Sequence, residues 1–579
     1  MRRCGAFGQG EVMRIIDFRN TFSMPLGARA GIVVSILAVL AVTTAIYWSC
    51  FSAQFVCDDF PQIVNNEGIK SLQYIPDFFV KGVWGNSEFR LKDQSLYRPL
   101  FLVFLAVNYA LWGNHPFGFH LINILLHAAN AVLLFFLLKQ IFPRKDTRYP
   151  LLGAMLFAVH PVHVESVAFV SGSTDLLLTF FFLSAFLCYL RYRENSSSVC
   201  FVLAFVFSTA AVFFKEPGAV FPVVILLFDF LQDRKIYPYR LAAFFLVSIC
   251  YLVMRDASLG GVAPQIRISP GGGIRSAEYL AGYIKLLAIP WPLRMYFNTA
   301  SFGLSTVLPA AAILIGLIVM ARKDKRALFS LLWIMVTLLP GLSLAFHETQ
   351  ATFAERIAYL PSVGFVMLLT AYLQRQTGAR GKTVFATCVC IAALFAFLSA
   401  AATLDWRDDK VFYSKVIRNE PGIPAGYAGV ARYYERQGEY MKAIEYRLKI
   451  LGIRSSGKEK EATYDSLGRL YGTMGNSDRS IWYYRKELDI NPDSSEAHVG
   501  IGNNYLMMKN YRQTKQEYET AYRLNNKNYE ACYNLGMLLE MTGNRELADN
   551  YFRVFLKNAP HDTYASVIEK ILQSHPELR

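Results

Sequence analysis

Apolar runs of a length suited to a membrane recur through the first 401 residues and then stop. They fall near 30–50, 118–138, 150–168, 174–190, 198–214, 218–232, 239–254, 303–320, 327–345, 358–373 and 383–401, which makes eleven. About 20 apolar residues in a helix span the ~30 Å of bilayer hydrocarbon, so each run predicts a membrane helix. The first, GIVVSILAVLAVTTAIYWSC, has no small-residue cleavage site behind it and reads as a retained helix rather than a leader. Two further segments, 97–112 and 277–293, are shorter or broken by proline and charge. Their tryptophans and tyrosines suit helices lying in the outer interface.

The polar positions between the runs set an orientation. Arg2, Arg3, Arg14, Arg19 and Arg29 precede the first run, and basic residues then fill alternate gaps, as in Lys139, Arg144, Lys145 and Arg148, or Arg322, Lys323, Lys325 and Arg326. Those gaps are expected to face the cytoplasm. A cytoplasmic N-terminus and eleven spans then place everything after the last run on the opposite side. The same alternation gathers Asp58, Asp59, the stretch HPVHVES at 160–166, Lys215, Glu216 and Arg356 at one extracytoplasmic face. Singly, each reads as a snorkelling or capping group. Together they read as a site, because ionisable groups at a membrane are costly to keep.

Beyond about 403 the pattern turns charged and tyrosine-rich. YDSLGRLYGTMGN at 464–476, HVGIGNNYLMMKN at 498–510 and CYNLGMLLEMTGN at 532–544 repeat with a period of 34, carrying Gly468, Gly502 and Gly536 in register. An earlier copy at 425–440 is offset by 37, with a short insertion at 455–461. The period and the small residue within it predict tetratricopeptide repeats, helix pairs that stack into a concave solenoid. The expected organisation is a membrane domain over 1–402 with a first outer loop at 51–117, a linker over 403–423, and about four repeats with a capping helix over 424–579.

The 579 residues are 54% hydrophobic with a net charge of +15. The charge sits in short loops, and no zinc finger, helix-turn-helix signature or basic stripe accompanies it, which excludes a nucleic-acid partner. No P-loop or dinucleotide fingerprint is present, which excludes a nucleotide-sugar donor. The nine cysteines lack CxxC spacing and read as small hydrophobes.

The stretches CDDFPQIVNN (57–66), YRPL (97–100), NYALWGNHPFGFHLINILLHAANA (108–131), FAVHPVHVESVAFVSGSTDLL (157–177), FKEPG (214–218) and AERIAYLPSVGF (354–365), followed by the repeats, resemble one family. It is the transmembrane and tetratricopeptide-repeat family of protein O-mannosyltransferases. The resemblance implies an all-α, polytopic membrane fold of the C-type glycosyltransferases ahead of the α-solenoid. It also implies transfer of mannose or a similar sugar from a polyprenyl-phosphate carrier to Ser or Thr hydroxyls of secreted or periplasmic proteins.

By that resemblance Asp58 and Asp59 are the catalytic pair, one the base and the other orienting, with Asp58 slightly ahead. Arg356, Lys215 and Arg98 are candidates for the donor phosphate, with Arg356 favoured by its fork of donors. His160, His163, Glu165, Glu216 and Tyr359 are candidates for sugar or acceptor. No cofactor is firmly implied; a divalent metal on His160, His163 and Glu165 is the lesser reading, since their spacing is not HExxH. Expected partners are the lipid-linked donor, membrane lipid and a protein or peptide held by the repeats. The setting is a bacterial inner membrane, or endoplasmic reticulum in a eukaryote, with site and repeats periplasmic or lumenal. A non-catalytic membrane scaffold, a lipid-linked glycan transporter, or transfer to a glycan or lipid acceptor stand as alternatives.

Overall fold

The computed structural model describes residues 26–80, 96–143, 146–233, 237–259, 271–293, 303–322, 324–346, 353–559 and 561–578. Two compact units, Met1–Asp408 and Asp409–Arg579, divide the chain. Both are built of helices, and no strand occurs among the described residues.

The first unit runs α1 (Leu26–Ile46), α2 (Pro99–Trp112), α3 (Pro116–Ile141), α4 (Arg148–Ala158), α5 (Val164–Ala168), α6 (Ser173–Asn195), α7 (Ser198–Phe214) and α8 (Phe221–Asp233). It continues with α9 (Pro238–Ser258), α10 (Gly272–Ala288), α11 (Leu304–Ala321), α12 (Lys325–Ser343), α13 (Tyr359–Arg375) and α14 (Gly378–Thr403). Among the described residues seven helical stretches are long and apolar enough to cross a membrane, or eight if α4 and the segment Pro161–Ala168 form one span bent by 49°. All eleven predicted runs fall on helices, but not all have spanning length. The 13 residues of α8 reach only about 20 Å at 1.5 Å per residue.

Prolines explain the breaks. Pro161 cannot continue α4, and Pro217 stops α7 short of α8, because each lacks an N–H and crowds the preceding turn. The segment 97–112, expected at the interface, forms α2, and Phe101, Leu102, Leu105 and Ala106 bury against Phe55, Ile63, Ile69 and Phe78 of the preceding loop. The loop that carries Asp58 and Asp59 is thereby seated on a helix. Asn66 caps the next turn, accepting from the Gly68 N–H at 3.1 Å and donating to the Gln62 carbonyl at 3.1 Å.

The second unit opens with α15 (Asp409–Asn419), which occupies much of the stretch expected as a linker. Four helix pairs follow: α16 (Pro424–Arg436) with α17 (Tyr440–Leu451), α18 (Gly457–Thr473) with α19 (Ser477–Leu488), α20 (Ser495–Met507) with α21 (Tyr511–Leu524), and α22 (Tyr529–Met541) with α23 (Arg545–Asn558). A last helix, α24 (His561–Ser574), closes the stack.

The period-34 glycines have a packing cause. A Cβ on Gly468 would meet the Tyr484 ring at 2.9 Å, one on Gly502 the Tyr518 ring at 2.5 Å, and one on Gly536 the Phe552 ring at 2.6 Å. The aromatic partners repeat at 34 as well, so each pair of helices closes by setting a ring on a bare backbone. The Tyr518 ring is fully buried and its hydroxyl is tied to Asn503, so it cannot yield freely. Gly502→Ala is therefore expected to destabilise this unit by about 1–3 kcal/mol through overpacking. Thermal unfolding of the full chain should show it, beside Gly457→Ala as a control, whose Cβ meets nothing within 4 Å.

Candidate active site

The acidic pair sits on a tight turn. Cys57 has φ of +52°, a left-handed backbone that L-residues adopt at a cost. The turn sends the two carboxylates apart. Asp59 is fully buried, and its Oδ1 accepts from the N–H and hydroxyl of Ser171 at 2.8 and 2.6 Å, while Oδ2 accepts from the Val56 N–H at 3.1 Å. Asp58 remains half-buried and lies within electrostatic reach of Arg356.

Ser171 reaches Asp59 because the backbone folds back on itself. A Cβ on Gly172 would collide with the Ser166 and Glu165 carbonyl oxygens at 2.8 and 2.9 Å, so the turn after α5 closes only with glycine there. Asn123 of α3 donates to the Val167 and Phe169 carbonyls, each at 3.2 Å, and holds this irregular stretch. The bend at Pro161 turns Glu165 toward Arg356, whose Nη1 and backbone N–H donate to the carboxylate at 2.8 and 2.9 Å. The Arg356 guanidinium also lies over the Phe169 ring, 5.7 Å from its centre.

Two further pairs come from the turn after α7. There a Cβ on Gly218 would strike the Val212 nitrogen at 2.5 Å, so this turn too is folded tightly onto the helix end. Lys215 Nζ lies 2.6 Å from both oxygens of Asp175 in the first turn of α6, and both side chains are buried. Glu216 takes the Arg98 fork, with Nη2 at 2.8 Å and Nε at 3.1 Å. Burial pulls the Lys215 ammonium down; Asp175 opposes this and the charges of Arg98 and Arg356 add to it, leaving the group below its ordinary value. Burial pushes the Glu216 carboxyl up, but the charge and hydrogen bonds of Arg98 outweigh it and hold it low.

Asp58, Asp59, Arg98, Glu165, Lys215, Glu216 and Arg356 thus come together. The three remaining candidates are bonded to other partners. His160 donates Nε2–H to the Leu287 carbonyl at 3.0 Å and accepts from the Val162 N–H at 3.2 Å. His163 is held by the Phe157 carbonyl at 2.8 Å and Ser362 Oγ at 2.9 Å. Tyr359 meets His127 at 2.6 Å and Asn130 at 3.2 Å. These three side chains are buried and knit helices, and with Glu165 committed to Arg356 they offer no convergent set of metal ligands. Each of the phosphate candidates already has a carboxylate partner: Glu216 for Arg98, Asp175 for Lys215 and Glu165 for Arg356. Sequence reasoning assigned no role to Asp175 or Ser171. An acid inside an apolar run was the available signal for Asp175; Ser171 carried none.

A profile described as dolichyl-phosphate-mannose-protein mannosyltransferase matches residues 97–254, and a tetratricopeptide-repeat profile matches 462–494 and 529–562. Human protein O-mannosyl-transferase TMTC4 is 28% identical over 491 residues, covering 71% of this chain and 65% of that protein. Relatives at 22–28% identity are all protein O-mannosyl-transferases, so the chain is similar to that group of proteins. Protein O-mannosyl-transferase F38B6.6 of Caenorhabditis elegans is 27% identical, covering 66% of this chain and 57% of that protein. The alignments therefore span about two thirds of the length of these relatives or less. Among solved structures, ArnT from Cupriavidus metallidurans bound to undecaprenyl phosphate aligns over 72% of this chain and 75% of its own, at 14% identity and a TM-score of 0.40.

Two outcomes follow from the buried charges. Lys215→Met should cost about 3–5 kcal/mol by stranding Asp175, and much of that should return in the double variant with Asp175→Leu, as read by thermal unfolding in nanodiscs. Asp59→Asn places an amide N–H₂ against the Val56 or Ser171 donors and should cost about 1–3 kcal/mol. Burial raises the Asp59 carboxyl from 3.8 to about 7, against the lowering effect of its Ser171 and Val56 hydrogen bonds. A raised carboxyl contributes stability that is complete below the unfolded value and lost as pH rises through the folded one. Wild type should therefore lose stability between about pH 4 and 7 through this group, and Asp59→Asn should lose less over the same window.

Proposed function

We propose that the chain is a membrane glycosyltransferase that moves a monosaccharide, mannose or a similar sugar, from a polyprenyl-phosphate carrier to Ser or Thr hydroxyls of secreted or periplasmic proteins. The observation that carries this reading is the convergence of a half-buried carboxylate, Asp58, with the Arg356 guanidinium within its electrostatic reach, in a chain that matches this family. Asp58 is the base. It takes the proton from the acceptor hydroxyl as that oxygen attacks the sugar C1. The C1–O bond to phosphate breaks, and the polyprenyl phosphate leaves with the electron pair. Asp59, with three donors on its oxygens, anchors the turn that presents Asp58.

Arg356 is the foremost phosphate group. Its guanidinium offers five N–H donors, and the bond to Glu165 uses only Nη1. Its side chain is 32% exposed, against 10% for Lys215, so it is the more accessible of the two. Sharing these donors between carboxylate and phosphate compensates the leaving charge in a low-dielectric setting. In this reading the N-terminus is cytoplasmic, and the site and repeats face the periplasm or lumen, where the repeats hold the acceptor.

The test is transfer of labelled sugar from a panel of polyprenyl-phosphate monosaccharides to Ser/Thr-rich peptides. Asp58→Asn should lower kcat by about 10²–10⁴-fold with an unchanged melting temperature, the range for loss of a general base. Full activity in that variant would remove the base assignment. A folded wild type that transfers sugar from no donor, while its repeats retain a protein partner, would favour the scaffold reading.

A further inference from the structure

The last repeat carries a cluster with no part in the membrane chemistry. His575 follows α24 and is 1% exposed, its ring against Phe552 at 4.9 Å between centres. Three carboxylates surround it. Nδ1 lies 3.0 Å from Asp549 Oδ1 and 3.6 Å from Glu577 Oε1, and Nε2 lies 3.3 Å from Glu540 Oε1. Yet neither ring nitrogen makes a hydrogen bond, and neither does Asp549 Oδ1, although all three atoms are buried. A buried imidazole whose neighbours stand at ion-pair distance without hydrogen-bond geometry keeps a nitrogen lone pair for a further group.

We propose that His575 Nδ1, Asp549 Oδ1 and Glu577 Oε1 bind a zinc-class divalent cation that clips the C-terminal helix to the last repeat. The three ligand atoms lie within 4.8 Å of one another, the one such group of three among the described residues. Ligands about 2.1 Å from a tetrahedral zinc stand roughly 3.4 Å apart, close to the spacings here. Mixed nitrogen and carboxylate donors suit zinc-class ions better than magnesium or calcium, which take oxygen alone. Glu540 Oε1 lies 3.3 Å from the far nitrogen, where a carboxylate favours the tautomer with its proton on Nε2 and leaves the Nδ1 lone pair for the metal. Arg545 Nη2 lies 3.2 Å from Glu577 Oε1 and is the competing cation. It is exposed and can swing into solvent as the metal enters.

The ligands come from α23 and from the chain after α24, so the ion adds a coordinate tie between that segment and a helix it otherwise meets through apolar contact and the exposed Arg545–Glu577 pair. The test uses the full chain in detergent, stripped with EDTA and titrated with zinc chloride, with bound metal counted and hydrogen exchange followed over 561–578. Wild type should bind one more equivalent than His575→Asn, and zinc should slow exchange in that segment of wild type only. Glu577→Gln, at an exposed position that leaves the packing intact, should weaken binding about 10-fold or more. Equal zinc uptake by wild type, His575→Asn and Glu577→Gln would overturn the proposal. So would zinc binding that leaves exchange over 561–578 unchanged.

Discussion

Charge taken out of water has to be paired, and in this protein the pairing draws distant parts of the chain to one place. Arg98 and Glu216 are 118 residues apart, Lys215 and Asp175 are 40 apart, and Arg356 and Glu165 are 191 apart. Each pair joins the end or the broken middle of one helix to another, so none of these ends can shift without stranding a charge in a low-dielectric interior. The acidic turn at 57–59 is tied to the same frame through Ser171. The charged side chains are therefore fixed by their own partners, the preorganisation that the proposed base and phosphate clamp would need. The same pairing limits the chemistry. A lipid phosphate entering here meets cations already engaged and must share their donors, a task suited to guanidinium groups with N–H to spare.

The solenoid is held by a different means. Its closure depends on bare glycine backbone under Tyr484, Tyr518 and Phe552, and on a left-handed residue before the second helix of each of the last three pairs, at Gly475, Lys509 and Gly543. Both features recur at the same period, so each repeat carries its own instructions, and stability accumulates by stacking. The membrane unit has no such redundancy. Its geometry rests on single residues, Gly172, Gly218 and Pro161, at which the chain must turn.

This contrast explains what could be read from the sequence. Periodicity is local, so the four helix pairs and their cap were legible from the spacing of 468, 502 and 536. Hydropathy located the helices of the first unit but not their lengths, because α7 and α8 are set by where Pro217 interrupts them. The acidic pair and the three cations were legible as charge placed where it is expensive. Their partners were not, since Asp175 and Ser171 become neighbours of Lys215 and Asp59 only through the fold. The partners of His160, His163 and Tyr359 were not legible either, because a buried imidazole or phenol bonded inside a bundle looks, in sequence, like one that awaits a ligand.

The central claim is that Asp58 and the paired cations form one site for a lipid-linked sugar phosphate. A structure of the full chain with a polyprenyl-phosphate monosaccharide bound would test it most directly. The account predicts the phosphate within hydrogen-bonding distance of Arg356 and at least one of Lys215 and Arg98, with the sugar C1 open to attack from the Asp58 side. A phosphate seated elsewhere, with the three ion pairs undisturbed and Asp58 remote from the sugar, would contradict it.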